Sequence, residues 1–128
     1  MIIHSLLTGE PSRIVANVMN RGVLIPNLSA DACVEVPALV DGLGVHPVAA
    51  GPLPTHLAAY IEPAVITQLL TVQASVDHDR EAIYHAVMQD PQIQARLTLE
   101  ETWRLTDELI DAEREWMPSW LHGAVVAG

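Results

Sequence analysis

Lysine is absent from these 128 residues, and the only strong cations are six arginines against sixteen aspartates and glutamates, a formal charge of −10. A surface so short of positive charge repels phosphate, which excludes nucleic acid as a natural partner. Cysteine is nearly absent too. A single Cys33 allows no internal disulfide framework and no cysteine-rich metal site, and its place in an apolar run gives the expectation of a buried, inert thiol. No apolar run approaches the roughly 18–20 residues that cross a bilayer, and "MIIHSLLTGE" lacks the basic flank and cleavage site of a signal peptide. These absences fit a cytoplasmic protein. Neither G-x-G-x-x-G nor G-x-x-x-x-G-K-[ST] occurs, so no phosphate-cradling turn marks a nucleotide site, and there is no G-x-S-x-G or other order of residues that singles out a nucleophile with its base.

What is present reads as one α+β domain over residues 1–128, with antiparallel β-hairpins in the N-terminal half and helices in the C-terminal half. Seven of the nine prolines precede residue 65, while eleven of the sixteen acids follow residue 64. "RIVANV" and "GVLI" are rich in β-branched residues and are separated by "MNR" with Gly22, which predicts a short hairpin. "ACVEVPALV" alternates, stops at the turn signal "DGLG", and is followed by "VHPVAAG", another short strand in which Pro47 argues for an edge or an end. Glu35, flanked by Val34 and Val36, points to water if that strand has one wet face.

The pattern becomes helical at Pro63, a proline suited to a first turn, with Ile66, Leu69, Leu70 and Val76 at helical spacing. A second helix follows Asp79 as N-cap and stops at Pro91. Thr98 and Glu101 form a capping box for the last helix, whose apolar arc collects Leu99, Trp103, Leu105, Leu109, Ile110, Ala112, Trp116 and Met117. Arg104, Asp107, Glu108, Asp111, Arg114 and Glu115 fall on the other side. Glu113 is the one acid inside the arc.

Chemistry is sparse. Glu81 and His85 share a helical face near His78, Asp77 and Asp79, a spacing that could present metal ligands but that arises often on solvated acidic helices. The three asparagines of "NVMNRGVLIPNL" divide into two groups. Asn20 and Asn27 suit turns, whereas Asn17 lies inside a strand, where a buried amide must find partners.

The blocks "LLTGEPSRIVANVMNRGVLIPNLSADACVEVPALVDGLGVHPVAAGPLP", "LTVQASVDHDREAIYHAVMQDP" and "EREWMPSW" together resemble the C-terminal part of the NAD- and manganese-dependent glycoside hydrolases of family 4. "N-x-x-N-x-G-x-I-x-N-L" with "VEVP" carries most of the likeness; the helical blocks look most like the α-galactosidase and α-galacturonidase branch. The resemblance implies a mixed domain similar to part of the C-terminal domain of lactate and malate dehydrogenases, one that covers the sugar pocket and takes part in dimer contacts. Members of the family oxidise the sugar with bound NAD, abstract the neighbouring proton and eliminate the aglycone. The motifs for NAD, for the metal and for the catalytic base belong to family segments that would precede this sequence, so no catalytic, cofactor or metal residue carries over, to Cys33, Tyr60 or Tyr84 included. The chain resembles the last quarter to third of a full enzyme: a lid and dimerisation domain, inactive alone. It is expected to form a homo-oligomer or to serve a missing NAD-binding domain, with Asn17 and Asn20 nearest the sugar. A free-standing, non-catalytic oligomerisation module derived from that domain is the alternative.

Overall fold

A computed structural model of the chain describes residues 1–122. It divides into two compact units, Met1–Tyr60 and Ile61–Gly128. The first opens with helix α1 (Ile2–Thr8), closed by Gly9 in the left-handed conformation at φ 78°. Three strands follow, β1 (Ser12–Met19), β2 (Cys33–Asp41) and β3 (Gly44–Pro47), in an antiparallel sheet of order β1-β2-β3. The register of β1 on β2 runs without interruption from Ser12 opposite Val40 to Met19 opposite Cys33. Val34, Val36, Ala38 and Val40 alternate inward and form the centre of this core. The turn at Gly42 lies close to Gly9, where a Cβ on Gly42 would come within 3.3 Å of the Gly9 Cα. A side chain there would force the α1 terminus and the β2–β3 turn apart.

The expected hairpin of "RIVANV" with "GVLI" does not form. β1 pairs with "CVEVPALVD" instead, and residues 23–25 belong to the long loop between β1 and β2. Leu24 and Ile25 are apolar because they are buried in that loop. So short an apolar run does not distinguish a strand from a loop that buries two of its residues. The expectation for β2, its turn and an edge strand ending at Pro47 holds. Cys33 is exposed, not buried: the register that turns Val34 inward sends Cys33, with Glu35, to the outer face.

The helical part comprises α2 (Thr55–Asp77), α3 (Arg80–Gln89), the short α4 (Pro91–Gln94), α5 (Leu99–Ala112) and a 3₁₀ turn, Ser119–Leu121. α2 begins eight residues before the expected start, with Pro63 inside it. The bias of the residue before a proline against helix is only a bias, and the chain from Thr55 overrides it. α3 and its Asp79 cap are as expected, the Asp79 carboxylate accepting from the Glu81 and Ala82 N–H groups. The capping box at Thr98 and Glu101 is present in full.

The buried stripe of α5 is narrower than the apolar arc predicts. Thr102, Thr106 and Ile110, spaced by four, are its buried residues; Leu99, Leu109 and Trp116 are exposed, and Trp116 and Met117 lie beyond the helix end. Each threonine hydroxyl donates to the carbonyl four residues back, Thr102 to Thr98 at 2.9 Å and Thr106 to Thr102 at 2.8 Å. With the hydroxyl so occupied, the methyl packs as an apolar group. Glu113 is the exposed C-cap of α5. The core beneath contains Tyr84, Ile110 and Leu121, flanked by Trp103, Met117 and Trp120. Among the described residues no helix is long and apolar enough to cross a membrane.

Candidate functional site

The asparagine-rich segment folds into a loop held from within. Asn20, at the end of β1, is 2% exposed. Its side-chain oxygen accepts the Ile25 N–H at 2.8 Å, and its nitrogen donates toward the carbonyls of Ile25 at 2.9 Å, Leu28 at 3.1 Å and Ser29 at 3.1 Å. The amide therefore substitutes for the backbone partners that a loop cannot supply to itself. Asn27 performs a similar task over a longer range. It donates to the Leu53 carbonyl and accepts the Leu53 N–H, both at 2.9 Å, as a neighbouring strand would.

Between these two anchors the tip runs through Arg21, Gly22 at φ 81° and Val23 at φ 62°. A β-branched residue in the left-handed region is strained and persists only where its surroundings hold it. The strain is local to an exposed tip, because Leu24 and Ile25 on one side and Asn20 on the other are fixed.

Asn17 stands apart from this loop. It projects from the outer face of β1, opposite Glu35 on β2, and both are exposed. The expected pair of site residues is thus separated by hydrogen bonding: among the described residues the Asn17 side chain bonds to no other group, whereas Asn20 has committed its amide to the loop. Around Asn17 the outer face carries Val15, Met19, Cys33 and Leu39.

In the second unit, Arg80, Tyr84 and Asp107 form a network. The Tyr84 hydroxyl donates to the Asp107 carboxylate at 2.5 Å, and Arg80 donates to the Tyr84 oxygen, to Asp107 at 3.3 Å and to the Leu121 carbonyl at 2.8 Å. Burial, then the hydrogen bond to Asp107, raise the Tyr84 phenol above its ordinary value. A neutral Tyr84 stacked on Trp103 at 4.4 Å is a structural post. The helical projection puts Asp107 on the solvated side of α5; the i, i+4 spacing of Arg80 and Tyr84 signals their contact, but nothing local in the sequence points to Asp107.

Beside this core lies an apolar groove of about 460 Å³ with Thr67 and Thr71 of α2, Ile83 and Val87 of α3, and Leu105 and Leu109 of α5 on its walls. Thr67 and Thr71 again bond back to the carbonyls of Pro63 and Thr67. The acids and histidines considered as ligands are dispersed: Glu81 and His85 approach to 3.9 Å on an exposed face, while His78 stacks on Trp120 at 5.4 Å. Among the described residues no group of three or more His, Cys, Asp or Glu is placed to hold a metal ion.

Residues 1–93 match the family 4 glycosyl hydrolase C-terminal domain. An alpha-galactosidase of Bacillus subtilis is 39% identical over 93% of this chain and 27% of its own length. An alpha-galactosidase of Rhizobium meliloti is 39% identical over 94% of this chain and 24% of its own. Among solved structures, a 6-phospho-alpha-glucosidase from gut microorganisms, in complex with NAD and glucose-6-phosphate, superimposes with a TM-score of 0.79 at 32% identity, covering 91% of this chain and 26% of that one. The 6-phospho-beta glucosidase of Thermotoga maritima, with manganese, NAD+ and glucose-6-phosphate, gives a TM-score of 0.75 at 25% identity over 91% of this chain and 29% of that one. The chain thus spans about a quarter of the length of the relatives it matches.

Proposed function

Because this chain belongs to the family 4 glycosyl hydrolases and matches their C-terminal domain, we propose that it is the sugar-covering lid and subunit-pairing domain of an enzyme that hydrolyses O-glycosyl bonds, inactive by itself. The observation that carries this reading is the match of residues 1–93 to that C-terminal domain, in a chain that spans only about a quarter of the length of its relatives. The two alpha-galactosidases at 39% identity favour an α-galactoside as substrate. NAD and manganese would act in the complete cytoplasmic enzyme, as solved neighbours carry them, and would be bound by segments other than this one.

In this reading Asn17 offers its amide to sugar hydroxyls, since a carboxamide both donates and accepts. Asn20 acts one step removed, as the positioning residue that shapes the loop next to it. Purified chain supplied with NAD and Mn²⁺ is expected to stay at baseline over a panel of nitrophenyl α- and β-glycosides. Hydrolysis by the chain alone would overturn the division of labour proposed.

A further inference from the structure

The two edges of the sheet are protected unequally. β3 is four residues long and ends in Pro47, which has no N–H to offer another strand. β1, at the opposite edge, has eight residues, no proline and no bulge in its register. Its one charge is Arg13.

Which backbone groups of β1 are free follows from β2. The Pro37 carbonyl accepts from the Val48 N–H at 2.8 Å, on the β3 side. In an antiparallel strand the N–H and C=O of a residue point the same way, and successive residues alternate. Pro37 therefore turns its backbone away from β1, and its register partner Val15 turns away from β2. The same parity directs the N–H and C=O of Arg13, Val15, Asn17 and Met19 to the open edge. The bond from the Asn20 N–H to the Ala32 carbonyl agrees, because it falls on the opposite parity. Among the described residues these four pairs of edge groups bond to no other strand.

We propose that β1 pairs antiparallel with β1 of a second copy about a two-fold axis through Ala16, joining two three-stranded sheets into one. This rests on the subunit-pairing part of the function above and names the surface that does it. In this register Arg13 lies opposite Met19 of the second copy, Val15 opposite Asn17, and Ile14 opposite Val18. Every free N–H and C=O of the four edge residues then finds a partner. The half-buried Ile14, Ala16 and Val18 gain a neighbour on their open side. The two Arg13 side chains stand six residues apart along the paired strands, roughly 20 Å, so like charges do not meet. A slip of one residue would oppose inner and outer faces. Moving the axis to Val15 would set Met19 opposite Pro11, which has no N–H to give. A strand from elsewhere in a longer polypeptide could use the same edge, but it would lack this two-fold match.

The test uses the full chain. Sedimentation of the wild type is expected to show a dimer. Val15→Pro removes an N–H that faces the open edge and leaves the bonds to β2 intact, so it should dissociate the dimer while circular dichroism keeps the folded signature. Ala16→Cys in a Cys33→Ser background would place two thiols on the axis at a non-hydrogen-bonded pair, with Cα atoms about 4.5 Å apart, within disulfide reach. Mild oxidation should cross-link it well before a Val23→Cys control in the same background. A monomeric wild type would overturn both the pairing function and this surface. A dimer unaffected by Val15→Pro, or an Ala16→Cys chain that links no faster than the control, would overturn the surface alone. If Val15→Pro does not fold, the cross-linking rate decides.

Discussion

Replacing Asn20 by alanine tests whether a buried amide, and not the strand it terminates, holds the 20–29 loop. The amide nitrogen has two hydrogens for three carbonyls between 2.9 and 3.1 Å, so one hydrogen is shared; with the accepted Ile25 N–H the side chain makes three full hydrogen bonds. Each is worth about 1 kcal/mol net, and the buried Ile25 groups left without partners add to the loss, so Asn20→Ala should cost about 3 kcal/mol. For a unit of this size that lowers the melting temperature by roughly 12–24 °C. Asn20→Asp keeps the shape but replaces a donor facing three carbonyls with an acceptor. It should be at least as destabilising as alanine. Urea and thermal unfolding followed by circular dichroism measure both variants. A loss below about 1 kcal/mol for Asn20→Ala, or an Asp variant as stable as the wild type, would refute the argument from hydrogen-bond count.

Tyr84→Phe removes the bond to Asp107 and the one accepted from Arg80; because Asp107 is 55% exposed and Arg80 keeps its bond to the Leu121 carbonyl, the cost should be about 1–2 kcal/mol in denaturant titration. The raised Tyr84 value also sets a pH dependence: its stabilisation is complete below the unfolded-state value near 10 and is lost as pH rises through the higher folded-state value, so alkaline destabilisation should be weaker in Tyr84→Phe than in the wild type. Thr98→Ala should cost about 1 kcal/mol by loss of the N-cap, again read in urea. Glu101 is held below its usual value by the hydrogen bond from the Thr98 N–H, so its part of the box is present above the unfolded value and fades as pH falls through the folded one. Val23→Gly relieves the strained tip at φ 62° and should stabilise the chain by about 1 kcal/mol; no rise in melting temperature would show that the loop relaxes easily.

Capping and alternation were the most legible parts of the sequence. Asp79 and the Thr98–Glu101 pair announce helix starts through bonds to backbone groups two or three residues away, and the Val34-to-Val40 alternation is a property of one strand. The partner of β1 was illegible because pairing with β2 closes across a thirteen-residue loop, while the nearer "GVLI" has equal strand character. Thr102 and Thr106 look polar in sequence, yet in a helix they satisfy themselves. Of the candidate site, Asn17 is recognisable as an amide within a strand, although its exposure depends on a register that only pairing sets. Asn27 read as a turn residue because its partner, Leu53, is twenty-six positions distant.

The most direct test of the account is an exchange. This chain would replace the corresponding C-terminal segment of the Bacillus subtilis alpha-galactosidase, with which it shares 39% identity, and the chimera would be assayed on nitrophenyl α-galactoside with NAD and Mn²⁺. The account predicts hydrolysis that needs both cofactors and whose KM rises when Asn17 is changed to alanine. A folded chimera that cleaves no glycoside, while the parent enzyme does, would contradict it.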